Sequence, residues 1–458
     1  MTTARSKDRW LFATLAAVTT VTAIVSSLGA PLVPSIASRY DVPISTAQWI
    51  LTATLITAAA ATPALGRWGS GRLRRPVILG ALGVVLVGTV LSVVPLGIGP
   101  LIAGRALQGV GLALSPLTMA VARDVWSGDR LASRLSLLSV ATVAGAGLGY
   151  PLTGFLAEYA GVSGAYAFGA ALVAISLGLA LRHLPKHAVG VPQAVDLPSV
   201  ALVGAGMVCT LLAVSEGERW GWLSAPVLLL AAGGIGLLAG WIVRTVGVAR
   251  RGGQPLVDLR LATHPGVLGP NVVGFVLAFA MYGLLTVVVL LVRNDGSDGW
   301  GLDRGPLSAG LVLVPYALMS VGGSRVALRI ARRYGAHVLL PLGSTIFASS
   351  LVMLTLEHDT LTLALVAMAI GGLGSGFTFS SLPMLIVPHV PPSETGSAMA
   401  FNQLLRYLGF AVGSAASVAL LAVYGGHEAA FRATTLTMAG VCLVAAAVVP
   451  LGRRRQQR

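Results

Sequence analysis

Apolar residues fall along the chain in runs of about twenty, each long enough to cross a bilayer core of about 30 Å as a helix. The runs lie at 11–31, 47–66, 76–95, 99–122, 135–157, 164–183, 197–215, 225–244, 268–292, 306–326, 337–355, 361–385, 401–424 and 431–450, which predicts fourteen membrane helices. Hydrocarbon offers backbone groups no water to bond, so spanning segments of this length are helical. Short links rich in Gly, Pro and charge separate the runs. The longest outer link, 293–306 (RNDGSDGWGLDRGP), reads as a loop, and the longest inner link covers 244–265. The expected fold is an all-α polytopic membrane protein, with no stretch left for a soluble catalytic domain. The first run is too long for the core of a signal peptide and is read as a first span.

Charge obeys the same alternation. With fourteen spans both termini lie on one side, and the links of that side hold 24 of the 31 basic residues, whereas the opposite links hold Arg39, Arg219, Arg293, Arg304 and Arg432. The positive-inside rule then puts both termini in the cytoplasm. Only 10% of the 458 residues are charged, against roughly 25% in soluble domains. The net charge of +15 follows the topology, so it marks no nucleic-acid surface. Cys209 and Cys442 both sit in apolar runs, where a thiol behaves as a small hydrophobe rather than as half of a disulfide or a zinc ligand.

Two charges remain inside the spans, Arg105 and Arg406. In RALQGVG, Arg105, Gln108 and Gly109 make one polar, partly hollow face. A charge in lipid faces the bundle interior, a cavity or a partner, so this face is either an interhelical anchor or part of a transport path. In AFNQLLRYLGFAVGSA, Asn402, Arg406, Gly409 and Gly413 fall in a stripe about 60° wide, with Gln403 beside it. The same two readings apply there. The fifth span reads GAGLGYPLTG. Gly145 and Gly149 share one face, and Gly147, Pro151 and Gly154 share another. Two such faces allow close packing on both sides. Pro151 permits a kink, and Tyr150 offers a polar tip. The inner link 66–76, GRWGSGRLRRP, and a partial copy after the tenth span, SRVALRIARRYG, supply arginines that could hold lipid heads, set topology or form a gate. Before the thirteenth span, PHVPPSETGSAM puts Glu394 near the inner surface, within reach of an inner arginine.

Together these segments resemble the major facilitator superfamily, in its fourteen-span branch of drug:proton antiporters, and the resemblance covers essentially the whole chain. Arg105, Gln108 and Gly109 match the fourth-span motif. Gly145, Gly149, Pro151 and Gly154 match the antiporter motif of the fifth, with Tyr150 between the usual Gly and Pro. The stretches 196–222 and 255–261 are similar to links around the extra helices of that branch. The resemblance implies six-helix bundles at 1–190 and 263–458, with two additional helices in 191–262. It also implies a cavity near the membrane midplane worked by alternating access. The expected protein is a monomeric multi-pass exporter of small amphipathic compounds in a bacterial plasma membrane, proton-coupled and in contact with lipid, with no cofactor, metal or nucleic acid. Candidate transport and coupling residues are Arg105, Gln108, Gly109, Tyr150, Asn402, Gln403 and Arg406. The conformational helix carries Gly145, Gly149, Pro151 and Gly154. Gly66, Arg67, Arg74, Arg75, Asp124, Arg332 and Arg333 are candidate cytoplasmic gate residues.

Two departures from the family pattern bear on mechanism. Ser70 stands where the inner-link motif carries Asp, and Leu73 where it carries Gly, so the usual lock is absent or rebuilt. All sixteen acids fall in links or near helix ends, yet a proton carrier needs a group that titrates differently in its two states, and buried carboxylates are the usual ones. Arginine, with a pKa above about 12, cannot serve. A peripheral acid such as Asp124 or Glu158 could pair in one state only, the substrate could carry the charge, or the protein could be an uncoupled facilitator. A channel would show a filter or a ring of pore charges, an intramembrane enzyme a base beside its nucleophile, and a signalling protein a soluble module. None of these is evident in the sequence.

Overall fold

The computed structural model describes residues 2–29, 32–42, 44–47, 49–186, 196–253, 255–297, 299–425 and 427–454. Its described secondary structure is helical throughout. The long helices are α1 Thr2–Ser27, α2 Trp49–Trp68, α3 Arg74–Val93 and α4, which runs as Ile98–Gly109 and Leu114–Val125 joined by a tighter turn at Val110–Ala113. Gly128–His183 is continuous over 56 residues except at Gly161, whose φ of 66° lies in the left-handed region that glycine tolerates. The part before it is α5 (128–160) and the part after it α6 (161–183). There follow α7 Leu197–Trp220, α8 Ala225–Arg250, α9 Pro265–Arg293, α10 (Pro306–Leu311 and Val314–Tyr334), α11 Leu339–Leu356, α12 Leu361–Ile386, α13 Thr395–Val423 and α14 Glu428–Arg454. Every expected span has its helix. Thirteen described stretches are long and apolar enough to cross a membrane, and α5 is the remaining pass.

The ends differ from the apolar runs for a simple reason. A helix continues into water while its residues favour it, so hydropathy marks only the part in lipid. Arg325, Arg329, Arg332 and Arg333 therefore ride on the last turns of α10 rather than in a separate link. The link after α1 also holds a short helix, Val33–Tyr40. Val33, Ile36 and Ala37 are its buried stripe at helical spacing. Asp41 closes it in the left-handed conformation, its N–H bonded to the Ala37 carbonyl.

By its internal packing the chain divides into two units. One comprises Met1–Ala213, Leu228–Leu259 and Val390–Leu404, and the other Val214–Val227, Arg260–His389 and Leu405–Arg458. Helices α7 and α13 each contribute to both. Within the first unit, Asp196 and Arg244 join α7 to α8: Arg244 Nη2 donates to Asp196 Oδ1 at 2.7 Å, and Ser199 Oγ to Oδ2 at 2.5 Å. The Arg244 hydrogen bonds hold the Asp196 carboxyl below the usual carboxylate range, assisted by Ser199 and opposed by partial burial.

In hydrocarbon there is little hydrophobic drive between helices, so close contact of small residues does much of the packing. In the first unit Gly88 and Gly104 bring α3 and α4 into backbone contact, a Cβ on either falling 2.6 Å from the other's carbonyl oxygen. In the second, Gly343 of α11 and Gly374 of α12 do the same, at 2.8 and 2.6 Å. On the other side of α12, a Cβ on Gly372 or Gly376 would collide with the Tyr316 or Ser320 carbonyl of α10. The GGLGSG run at 371–376 is thus the seam of three helices. Gly372→Val is expected to lower the stability of the second unit by about 1–3 kcal/mol or to abolish folded yield. Gly80→Val, where nothing lies within 4 Å, is expected to be neutral. Size-exclusion profiles and thermal unfolding of the two detergent-solubilised variants check this.

Candidate functional site

Arg105 is fully buried in α4. Its guanidinium donates to backbone carbonyls of two other helices: Nη1 to Val25 at 2.8 Å, Nη2 to Ser26 at 2.7 Å and Nε to Ile50 at 3.2 Å. Nη1 also bonds Gln108 Oε1 at 2.6 Å, and Gln108 Nε2 passes the chain on to Ser92 Oγ at 3.0 Å. Val25 and Ser26 lie in the last turn of α1, where the helix dipole favours a cation; the Val25 carbonyl also accepts from the Leu28 N–H at 3.3 Å. Tyr166 of α6 presents its ring 6.0 Å from the guanidinium. Gly29 leaves room for this arrangement, since a Cβ there would sit 2.8 Å from Nη2. Gly109 lets α4 meet the backbone of α2, where a Cβ would collide with the Thr54 carbonyl.

The glycine face of α5 grips the same end of α1. A Cβ on Gly145 would fall 2.8 Å from the Thr20 carbonyl, and one on Gly149 2.6 Å from Ser27 Oγ. Pro151 lies within the continuous helix. The side chain of Tyr150 and the surroundings of Gly154 fall outside the described residues.

At the C-terminal end of α2, buried Arg67 donates from Nη1 to both carboxylate oxygens of Glu394 at 2.9 Å. The backbones of Gly66 and Gly396 meet beside it, a Cβ on Gly396 falling 3.1 Å from the Gly66 carbonyl. Buried Arg74 pairs with Asp124 and donates through Nε to Gly69 O at 3.0 Å. Arg123 bonds Thr395 Oγ1 at 2.8 Å. The C-terminal ends of α2 and α4 are thereby fixed to the start of α13. Arg75 reaches the Leu181 carbonyl at 2.9 Å. Arg332 and Arg333 are exposed at the end of α10, with Arg333 over the Tyr334 ring.

Arg406 lies buried in the second unit. Its guanidinium carbon stands 4.2 Å from the ring centre of Phe379 on α12 and 5.9 Å from that of Phe410. Phe410 stacks on Tyr282 of α9 at 4.4 Å, and the Tyr407 ring is 6.3 Å from Phe410. Gly409 sets α13 against the backbone of α9, a Cβ there falling 2.6 Å from the Phe275 carbonyl, and one on Gly413 would collide with the Phe279 carbonyl. Asn402 and Gln403 are buried on the stretch of α13 that belongs to the first unit.

The Major Facilitator Superfamily model matches residues 15–414, with a further match at 272–458. The chain belongs to this superfamily. The cephamycin export protein CmcT of Amycolatopsis lactamdurans is 27% identical over 91% of this chain and 85% of its own length. The multidrug efflux pump LfrA of Mycolicibacterium smegmatis is 26% identical over 90% and 81%. The crystal structure of the human organic anion transporter MFSD10 superposes with a TM-score of 0.68 over 96% of this chain and 99% of that one, at 15% identity, which marks a shared fold. The major facilitator chain is therefore a multi-pass membrane transporter of small molecules working by alternating access, and not an enzyme.

Sequence reasoning found both buried arginines but not what surrounds them. Phe379 and Tyr282 sit in strongly apolar helices, where an aromatic carries no sign of facing a cation. The Arg67–Glu394 pair spans 327 residues, and only Glu394's place in an inner link hinted at it. Arg105→Leu is expected to remove the hydrogen bonds donated to Val25, Ser26, Ile50 and Gln108, at about 1–3 kcal/mol in all, lowering the thermal unfolding midpoint. A Leu variant as stable as the parent would contradict the clamp. Glu394→Gln is expected to cost about 3 kcal/mol, because buried Arg67 loses its carboxylate. The charge-exchanged pair Arg67→Glu with Glu394→Arg should recover part of that loss in the same unfolding measurement.

Proposed function

We propose that the chain exports small amphipathic organic compounds in exchange for protons, as one of the fourteen-span drug:proton antiporters. The observation that carries this reading is its likeness, along nine-tenths of its length, to proteins named for export and efflux. Its fourteen passes suit that branch. In this reading 1–190 and 263–458 are the six-helix bundles and 191–262 supplies the added pair. Both termini are cytoplasmic, and one chain suffices for transport. The α5–α1 seam at Gly145 and Gly149 is the surface along which conformations exchange. Arg105, Gln108 and Gly109 hold its shape. The Arg67–Glu394 and Arg74–Asp124 pairs close the cytoplasmic side, Glu394 supplying from α13 the charge that Ser70 does not.

A second reading, an uncoupled carrier of neutral or anionic compounds, is favoured by the acid-free spans. The two readings part on proton movement. Asp124 and Glu394 each pair with a buried arginine, and under the first reading a proton displaces one of these pairs. In proteoliposomes with an imposed pH gradient, substrate and proton fluxes are expected to appear together. The variants Asp124→Asn and Glu394→Gln should uncouple them, lowering proton flux per substrate moved. Substrate flux with no proton flux in the parent protein would establish the facilitator instead.

A further inference from the structure

His358, in the short link between α11 and α12, is 2% exposed, and neither of its ring nitrogens has a hydrogen-bond partner among the described residues. Buried polar groups are ordinarily bonded, and this imidazole is not. Two carboxylates stand beside one of its nitrogens. Glu428, the first residue of α14, lies 3.8 Å from Nε2, and Asp359 lies 4.0 Å from it. Both are just beyond hydrogen-bond distance. A hydrogen bond of 2.8 Å between the Thr355 and Thr435 hydroxyls pins α11 to α14, so His358 stays beside Glu428 whatever its charge.

The surroundings keep water off the ring and still leave a way in for a proton. The Phe431 ring of α14 packs on the imidazole with centres 4.8 Å apart, and Trp300, from the link after α9, packs on Phe431 at 5.0 Å. Glu428 is half-exposed and Asp359 is 81% exposed, which gives Nε2 a polar contact to solvent. The neutral ring has one N–H and can satisfy one carboxylate. With a second proton it becomes a cation and attracts both. Histidine is the side chain that makes this change between pH 5 and 8. The other charged groups on the elements that meet here are Glu357 beside it, His427 and Arg432 at the start of α14, and Arg293, Asp295, Asp303 and Arg304 at the end of α9 and on the link after it. Helices α11 and α12 carry none. Arg432 bears directly on the site, since its Nη2 holds Glu428 Oε1 at 2.6 Å and competes for that carboxylate.

We infer that His358, set between Glu428 and Asp359, is a proton-binding site, and that the bound proton ties the α11–α12 link to the start of α14. The proton comes from water and no bond other than N–H forms or breaks. The tie is present on the acid side of histidine's range and is lost as pH rises through it. The site lies wholly in the second unit, goes beyond the export reading and does not depend on it.

The test uses the full-length protein in nanodiscs between pH 5 and 8. Deuterium exchange at the imidazole C2 position, read peptide by peptide by mass spectrometry, follows the protonation of each histidine. Backbone amide exchange, corrected for its intrinsic pH dependence, follows the packing of 428–434. His358 is expected to take up a proton within this range, and amide exchange at 428–434 to slow by about threefold or more as it does. Glu428→Gln should move the His358 transition to lower pH by about half a unit or more, and Arg432→Gln, which releases Glu428 to His358, should move it to higher pH. His337, exposed just before α11, should follow neither variant. His358→Gln should abolish the slowing. If His358→Gln does not fold, the two α14 variants carry the test. The site is overturned if His358 keeps one charge state from pH 5 to 8, if neither α14 variant moves its transition, or if the slowing persists in His358→Gln. Transport separates the two proposals. Substrate export by a protein whose His358 does not titrate sinks the site alone. Titration that responds to both α14 variants, in a protein that moves nothing in liposomes, supports the site and sinks the export reading.

Discussion

A helix that ends among apolar neighbours leaves carbonyls that water cannot reach, and α1 ends in this way. Leu28 and Leu32, which follow it, are fully buried. Everything arranged around that end meets at Arg105, which reaches across from α4 to donate to the Val25 and Ser26 carbonyls. Gly29 keeps the space for the guanidinium, Gln108 and Ser92 hold its other side, and the Gly145–Gly149 face of α5 packs onto the turns just before it. The buried charge is stabilised by oriented dipoles, the Val25, Ser26 and Ile50 carbonyls and the Gln108 amide.

The distribution of acids follows a related logic. Carboxylates are kept out of the spans and drawn in only at their ends, where Asp124 meets Arg74 and Glu394 meets Arg67. Glu394, at the start of α13, meets buried Arg67 through a directed, charge-assisted bond. Such a bond weakens sharply once the two groups part.

Much of this was legible in the sequence. Runs of about twenty apolar residues locate the helices because the thickness of the bilayer sets their length, and side alternation of charge guards the count. Helix ends were less legible: α13 begins at Thr395, before its apolar run, and α10 continues to Tyr334, past its own. Both extensions lie where polar residues are as content in a helix as out of it. The Arg105 motif advertised itself through the rarity of charge in lipid. The rings around Arg406 did not, because Phe and Tyr in a greasy helix look the same whether they fill a core or face a cation. Which glycines matter was equally hidden. Gly80 and Gly372 differ only in what lies opposite them, and that is a property of the neighbour.

Gly161 turns the chain from α5 into α6 in a single residue. Other neighbouring passes are joined by links with slack to absorb relative sliding, but this corner has almost none. Helix α5 carries the glycines that ride on α1, and α6 carries Tyr166, whose ring faces the Arg105 guanidinium. The corner therefore makes one lever of the two helices. A shift along the glycine seam must be felt at the arginine, without any further contact to relay it.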